Sequence, residues 1–168
     1  MSYPCSTCSK KIIQSVTYAL EKKFGGKWVV LLRFHFKLRS AKIPKKYLNN
    51  VVNVTDYPDM QELLCACDLG ITDYSSWMCD YVLTRRPGFL FVSDLKDYKD
   101  ERGFYYPLTS TPFKVCETTE ELVDAIKKYD EKEYQKSVDK FLKDRGCYED
   151  GKVSSKVVKK IEELSKKN

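Results

Sequence analysis

Asp68-Leu69-Gly70-Ile71-Thr72-Asp73-Tyr74-Ser75-Ser76-Trp77-Met78-Cys79-Asp80-Tyr81 is the stretch around which the rest of the chain can be organised. Residues 69–72 are apolar and run into polar turn-formers, which predicts a short buried strand that turns at Asp73-Tyr74. Ser75-Ser76 then opens a helix predicted to reach about Thr84. A helix start leaves several backbone N–H groups without intrahelical partners, and the helix dipole adds positive potential there. Two hydroxyls at that point either cap the helix or, together with the free N–H groups, hold a phosphate. Asp80 falls one turn after Ser76 and shares its face. A carboxylate repels a phosphate, so Asp80 suits a neutral hydroxyl beside the phosphate better than the phosphate itself.

Outward from that stretch, helices and strands alternate. Residues 10–24 carry Ile12, Ile13, Val16, Ala19, Leu20 and Phe24 at helical spacing, and Gly25-Gly26 ends the helix. Trp28-Val29-Val30-Leu31-Leu32 is a continuous apolar run of β-formers, the pattern of a strand covered on both faces. Residues 37–50 form a basic loop and 51–55 a second strand. Asp56-Tyr57-Pro58-Asp59 begins a helix through Met60, Leu63, Leu64 and Cys67, with proline expected in its first turn. Pro87-Gly88 breaks the chain before a fourth strand at 89–92. Residues 93–112 are polar, aromatic and irregular, a length that in a compact domain points to a functional loop. A last strand is predicted at 113–116, followed by the capping box Thr118-x-x-Glu121 and a helix burying Leu122, Val123 and Ile126. Two more helices are predicted, over 131–143 and through Val153, Val157, Val158, Ile161 and Leu164.

This alternation predicts an α/β fold with a doubly wound, mainly parallel sheet. Right-handed crossovers then bring the ends of the early strands to one edge, where such sheets bind ligands. Arg33-Phe34-His35, Asp56, Asp73-Tyr74-Ser75-Ser76 and the loop after Val92 are expected to meet there.

At 168 residues the chain fits one domain, with 42% apolar and 32% charged residues placing it among globular proteins. We expect an irregular segment over residues 1–9 and a single domain over 10–168. No apolar run reaches the ~20 residues of a membrane span. The start Met1-Ser2-Tyr3-Pro4 lacks a secretory pattern, so a cytoplasmic location is expected. The seven scattered cysteines argue for reduced thiols. Cys5-x-x-Cys8 has no second pair to complete a structural zinc site, and no metal or cofactor is expected. The formal charge of +6 is compatible with an anionic substrate, an acidic membrane or nucleic acid and selects none. Lys152, Lys156, Lys159 and Lys160 on the final helix suit a solvated face or an acidic lipid surface.

His35 is the single histidine, so any histidine chemistry within the chain runs through it. Beside Arg33 at a strand end it suits donation to a phosphate oxygen or proton transfer, the alternative being a satisfied structural histidine. Arg102, in a Glu-Arg-Gly-Phe turn, suits bidentate binding of an anion or a surface ion pair with Glu101 or Asp100. Neither a GxGxxG nor a Walker-type phosphate loop is present. Asp73 at a strand end also admits a receiver-like, non-catalytic module, although the acidic pair and the lysine such a module needs do not follow the other strands.

The run Thr55-Asp56-Tyr57-Pro58-Asp59-Met60-Gln61-Glu62-Leu63-Leu64, with Cys67-Asp68-Leu69-Gly70-Ile71-Thr72-Asp73-Tyr74-Ser75-Ser76 and Asp80-Tyr81, resembles the CDP-glycerol glycerophosphotransferase family of teichoic acid polymerases and primases. Arg33-Phe34-His35, Arg86-Pro87, Asp94 through Tyr98, Arg102-Gly103-Phe104-Tyr105 and Tyr148-Glu149-Asp150-Gly151 continue the match from about Lys10 onward. The resemblance implies a Rossmann-like domain, the C-terminal, nucleotide-binding half of a GT-B-like glycosyltransferase architecture. It implies that Arg33, Phe34 and His35 line the CDP-glycerol site, that Ser75 and Ser76 meet the pyrophosphate, and that Asp80 is an acidic residue of the same site; Asp73 and Arg102 are expected to join it as further substrate-binding residues. We assign catalysis to His35, which with the helix start at Ser75-Ser76 is expected to stabilise charge on the CMP leaving group.

The implied reaction transfers glycerol phosphate from CDP-glycerol to a hydroxyl of a lipid-linked polyol-phosphate acceptor and releases CMP. Transfer of another CDP-linked polyol phosphate, such as ribitol phosphate, is equally compatible. The resemblance further implies an N-terminal acceptor domain that supplies a general base and is not matched here. The chain is therefore expected to be incomplete as an enzyme, to work with a separate acceptor-domain chain or at the inner face of the membrane, and not to bind nucleic acid. Residues 1–9 do not match the family's usual opening strand, and Phe36 stands where proline usually follows the histidine.

Overall fold

The amphipathic pattern of residues 10–24 becomes helix α1 (Lys10–Phe24) in a computed structural model that describes residues 10–34, 50–96 and 106–166. Gly25 and Gly26 end it with left-handed backbone at φ 76° and 71°, and the Gly25 N–H returns to the Glu21 carbonyl at 3.0 Å. Strand β1 (Val30–Leu32) pairs in parallel with β2 (Val51–Asn53), with Leu31 opposite Val52. Helix α2 (Met60–Ala66) follows, capped by Asp59, whose side chain accepts the Glu62 N–H at 3.0 Å. The cap places Pro58 outside the helix, one residue before the capping residue and not in the first turn as expected. Then come β3 (Gly70–Thr72), α3 (Trp77–Tyr81), a 3-10 turn (Val82–Thr84) and β4 (Gly88–Phe91). After a second 3-10 turn (Leu108–Ser110) the chain forms β5 (Lys114–Cys116), α4 (Thr119–Lys127), α5 (Glu131–Asp144) and α6 (Val153–Ser165).

All strand pairs among the described residues are parallel, as the alternation predicts, but they fall into two pieces: β1-β2 and β3-β4-β5. Strand β4 is the spine of the larger piece. Its side chains alternate across the sheet. Phe89 and Phe91 join Val16, Ala19 and Leu20 of α1 and Leu122 and Ile126 of α4 in one core cluster. Leu90 and Val92 join Met78 and Tyr81 of α3 and Tyr134, Val138 and Phe141 of α5 in the other. Helices therefore cover both faces, which is the doubly wound arrangement.

The continuous apolar run 28–32 meets a different environment from the one expected. Leu31 is 37% exposed and its partner Val52 48% exposed, so one face of the β1-β2 pair is uncovered among the described residues.

Capping follows the sequence closely in the C-terminal half. The Thr118 hydroxyl accepts the Glu121 N–H at 3.2 Å, and the Glu121 carboxylate reaches back to the Glu117 N–H at 2.7 Å. Asp130 caps α5 and accepts the Glu133 N–H at 2.9 Å. Helix α6 buries none of its residues, leaving Val157, Val158, Ile161 and Leu164 more than half exposed. No helix among the described residues is long and apolar enough to cross a membrane.

Candidate functional site

The carboxyl end of β3 builds the centre of the candidate site. Gly70 lets α3 lie directly on the strand, because a Cβ there would stand 2.8 Å from the Tyr81 ring and 3.1 Å from Trp77. Tyr81 is fully buried and meets Trp77 edge to face, with ring centroids 5.6 Å apart. After Thr72 the chain turns at Asp73, whose carboxylate accepts the Ser75 N–H at 3.2 Å. The first helical turn is tight, with Met78 N–H bonded to the Ser75 carbonyl and Cys79 N–H to the Ser76 carbonyl.

The helix expected from Ser75 to Thr84 is shorter in fact. Five α-helical residues pass into a 3-10 turn, where the Thr84 hydroxyl takes the Tyr81 carbonyl at 2.7 Å and Arg85 goes left-handed at φ 58°. Ser76 already has helical backbone, φ −64° and ψ −16°, and its hydroxyl makes no capping bond. Side-chain capping normally needs an extended backbone at that position. The Ser75 hydroxyl likewise has no hydrogen-bond partner among the described residues. Both hydroxyls thus remain available to an external acceptor, while a five-residue helix contributes little dipole. Ser76, Asp73 and Asp80 are exposed and Ser75 is half-buried.

Side-chain contacts among the described residues tie this segment to its neighbours. The Tyr74 hydroxyl donates to Asp94 Oδ1 at 2.8 Å, across to the turn after β4. Cys79 Sγ meets the Tyr106 hydroxyl at 3.4 Å, a contact that raises the Tyr106 pKa, and the Arg145 guanidinium stacks 4.0 Å above the Tyr106 ring. Neither contact is legible from periodicity. Asp94 belongs to the matching family segments and Tyr74 lies inside the serine stretch, yet neither stands out as a site residue from spacing alone.

Arg33 and Phe34 occupy a second group at the end of β1. One Arg33 nitrogen donates to the carbonyls of Val54, at 3.2 Å, and Tyr57, at 2.7 Å. The Phe34 N–H donates to the Thr55 hydroxyl at 3.1 Å. Arg33 therefore clamps the β1 and β2 ends together with one nitrogen, and among the described residues its other donors make no bond. No hydrogen bond or ion pair among the described residues joins Arg33 or Phe34 to Asp73, Ser75, Ser76 or Asp80. His35 and Arg102 lie outside the described residues, as do Cys5 and Cys8. The described residues hold no group of three or more side chains suited to a metal ion.

Arg86, another element of the sequence pattern, has a structural task. Its guanidinium donates to the carbonyls of Cys65 and Cys67 at 2.6 and 2.7 Å, closing the end of α2. The Arg86 carbonyl accepts the Tyr134 hydroxyl at 2.7 Å. Tyr81 and Tyr134 have raised pKa values, chiefly through burial, and burial pushes the Cys116 thiol up to about 11. These are core groups on the two faces of β4.

Residues 9–163 match the family model described as CDP-Glycerol:Poly(glycerophosphate) glycerophosphotransferase. The chain belongs to this family. It is 33% identical over 153 residues to a teichoic acid poly(glycerol phosphate) polymerase of Bacillus subtilis (strain 168), covering 86% of this chain and 20% of that protein. It is 32% identical over 136 residues to the teichoic acid ribitol-phosphate polymerase TarK of Staphylococcus aureus (strain NCTC 8325 / PS 47), covering 79% and 26%. Among solved structures, a variant of the wall teichoic acid polymerase TagF soaked with CDPG superposes with a TM-score of 0.68 at 35% identity, covering 88% of this chain and 38% of that one. The chain thus has the fold of a part of the glycerophosphotransferase family's polymerases and spans between a fifth and about two-fifths of their length. Family membership leaves the receiver-like alternative without support.

Proposed function

We propose that residues 10–168 form the donor-binding domain of a glycerophosphotransferase that uses CDP-glycerol. The observation that carries this reading is the serine pair: two hydroxyls without a hydrogen-bond partner among the described residues, presented at the carboxyl end of a parallel strand in a member of this family. Phosphate oxygens are the acceptors assigned to Ser75 and Ser76. Asp80, one turn below Ser76, accepts from a hydroxyl of the glycerol. Arg33 contributes further donors; Phe34 is assigned to the same substrate site by family resemblance, and Asp73 and Arg102 as further candidates.

In the proposed reaction, a terminal hydroxyl of the lipid-linked acceptor attacks the β-phosphorus. The new O–P bond forms as the bridging P–O bond breaks, and its electron pair leaves with CMP. The transition state gathers charge on that leaving group, where N–H groups and hydroxyls fixed in advance are most effective. His35 is assigned the donation to the departing phosphate. Removal of the attacking hydroxyl's proton, and binding of the acceptor, are assigned to protein outside this span, in the same or a separate chain. Contact with the acidic inner face of the membrane is assigned to Lys156, Lys159 and Lys160 of α6. The ribitol-phosphate relative at nearly equal identity keeps CDP-ribitol as the second donor.

Calorimetric titration with CDP-glycerol, CDP-ribitol, CDP, CTP and a UDP-sugar tests the assignment. A CDP-polyol should bind tightest, and Ser75→Ala/Ser76→Ala should weaken it about tenfold or more, with loss of two hydrogen bonds to charged oxygens. His35→Ala should weaken it less. Absence of binding, or indifference to the serine substitutions, overturns the reading.

A further inference from the structure

The peptide that carries Ser75 and Ser76 is held by its neighbours. Asp73 takes the Ser75 N–H. The Tyr74 hydroxyl reaches Asp94 Oδ1 at 2.8 Å, a bond between residues 20 apart in sequence. Asp94 sits in a turn closed by Leu95 N–H to the Val92 carbonyl, directly after β4. Strands β3 and β4 are already paired through Thr72 and Leu90, so the side-chain bond extends their pairing beyond the backbone ladder. The Tyr74 ring packs against the core cluster that contains Leu90 and Val92, and so does Leu95. A tyrosine fixed by its ring and its hydroxyl leaves the next peptide little freedom, and Ser75 is that next residue.

We propose that Tyr74 and Asp94 are a positioning pair for the donor pyrophosphate, setting the serine hydroxyls in place before the ligand arrives. The inference rests on the donor-site reading above. Its physical basis is that hydroxyls without internal partners gain affinity for phosphate only if their geometry is fixed in advance, and a displacement of about 1 Å removes most of the benefit. Neither residue needs to touch the ligand. Each acts through Ser75 and Ser76.

The test uses the whole chain, with CDP-glycerol and cytidine as probes. Tyr74→Phe and Asp94→Ala should each weaken CDP-glycerol binding about fivefold or more, the usual scale for losing one ordered side-chain bond. Asp94→Asn still offers an oxygen to the phenol and should stay within about twofold of the parent. The Tyr74→Phe/Asp94→Ala double variant should lose no more than either single variant. Cytidine, which has no phosphate, should bind all variants alike. A ligand-free arm reads amide hydrogen exchange: Ser75, Ser76 and Trp77 should exchange faster in Tyr74→Phe but not in Asp94→Asn, with Phe89 to Phe91 unchanged.

If Ser75→Ala/Ser76→Ala weakens binding but Tyr74→Phe does not, the pair is refuted and the donor site stands. Equal losses for cytidine and CDP-glycerol refute the pyrophosphate role. Unchanged exchange at Ser75 to Trp77 refutes the positioning itself. If the parent chain binds no CDP-glycerol, the donor-site reading falls and this inference with it.

Discussion

Strands β1 and β4 are both apolar runs in the sequence, and they end in opposite surroundings. In β4, Phe89, Leu90 and Phe91 are all buried, with alternate side chains serving two separate helix layers. In β1, Val30 and Leu32 are half-buried and Leu31 faces outward with Val52. A continuous apolar run states that a strand can be covered on both faces. What covers it is decided elsewhere in the chain, by helices such as α1, α4 and α5 that bring matching apolar stripes.

The sharpest way to break this comparison is to truncate one residue in each strand. Leu90→Ala removes a fully buried side chain and should destabilise the fold by about 2–5 kcal/mol, whereas Leu31→Ala should cost less than about 1 kcal/mol. Chemical denaturation with a common slope checks both. A loss in Leu31→Ala as large as in Leu90→Ala would mean that β1 is covered in solution.

Alkaline titration gives the next largest difference. Tyr81 and Tyr134 have pKa values raised above 10.0, and Cys116 is raised from 9.0 to about 11. The folded state therefore holds these protons more tightly than the unfolded state. Their contribution is intact below pH 9 and falls as the unfolded groups ionise, first Cys116 between pH 9 and 11 and then the tyrosines from pH 10 upward. Each group can contribute a slope of up to about 1.4 kcal/mol per pH unit. Melting curves across pH 8 to 11 should show a Tm that is level and then falls. A Tyr134→Phe variant should fall less steeply.

The smallest expected effect lies on α6. Helices α4 and α5 put their apolar stripes into the core, while the equally amphipathic α6 leaves Val157, Ile161 and Leu164 in the open. Val157→Ser should therefore change stability by no more than about 0.5 kcal/mol in this chain. A larger loss, read by the same denaturation assay, would show that α6 is packed in solution.

These contrasts explain how much the sequence discloses. Helix α1, the capping box at Thr118 and Glu121, and the buried fourth strand are all local signals, and each is found where spacing puts it. The serine pair is legible as a candidate anion site because it follows a strand and opens a helix. Its two hydroxyls left uncapped are not, since that depends on Ser76 adopting helical backbone one residue early. The Tyr74-Asp94 bond and the two-carbonyl grip of Arg33 join residues 20 or more apart, and no periodicity encodes such pairs. Arg86 shows the converse hazard. A basic residue within a family motif invites an anion, yet here it holds backbone carbonyls.

That grip has a mechanical consequence. Arg86 binds the end of α2, and Tyr134 binds Arg86 in turn, so α2, the entrance to β4 and α5 are riveted to one another at the edge where the strands begin. At the opposite edge, the turn after β3 is fastened to the turn after β4 by the bond from Tyr74 to Asp94. The sheet is therefore fastened at both ends in different ways: at its foot a guanidinium grips backbone carbonyls, and at the rim that carries the serines one side chain ties two turns together.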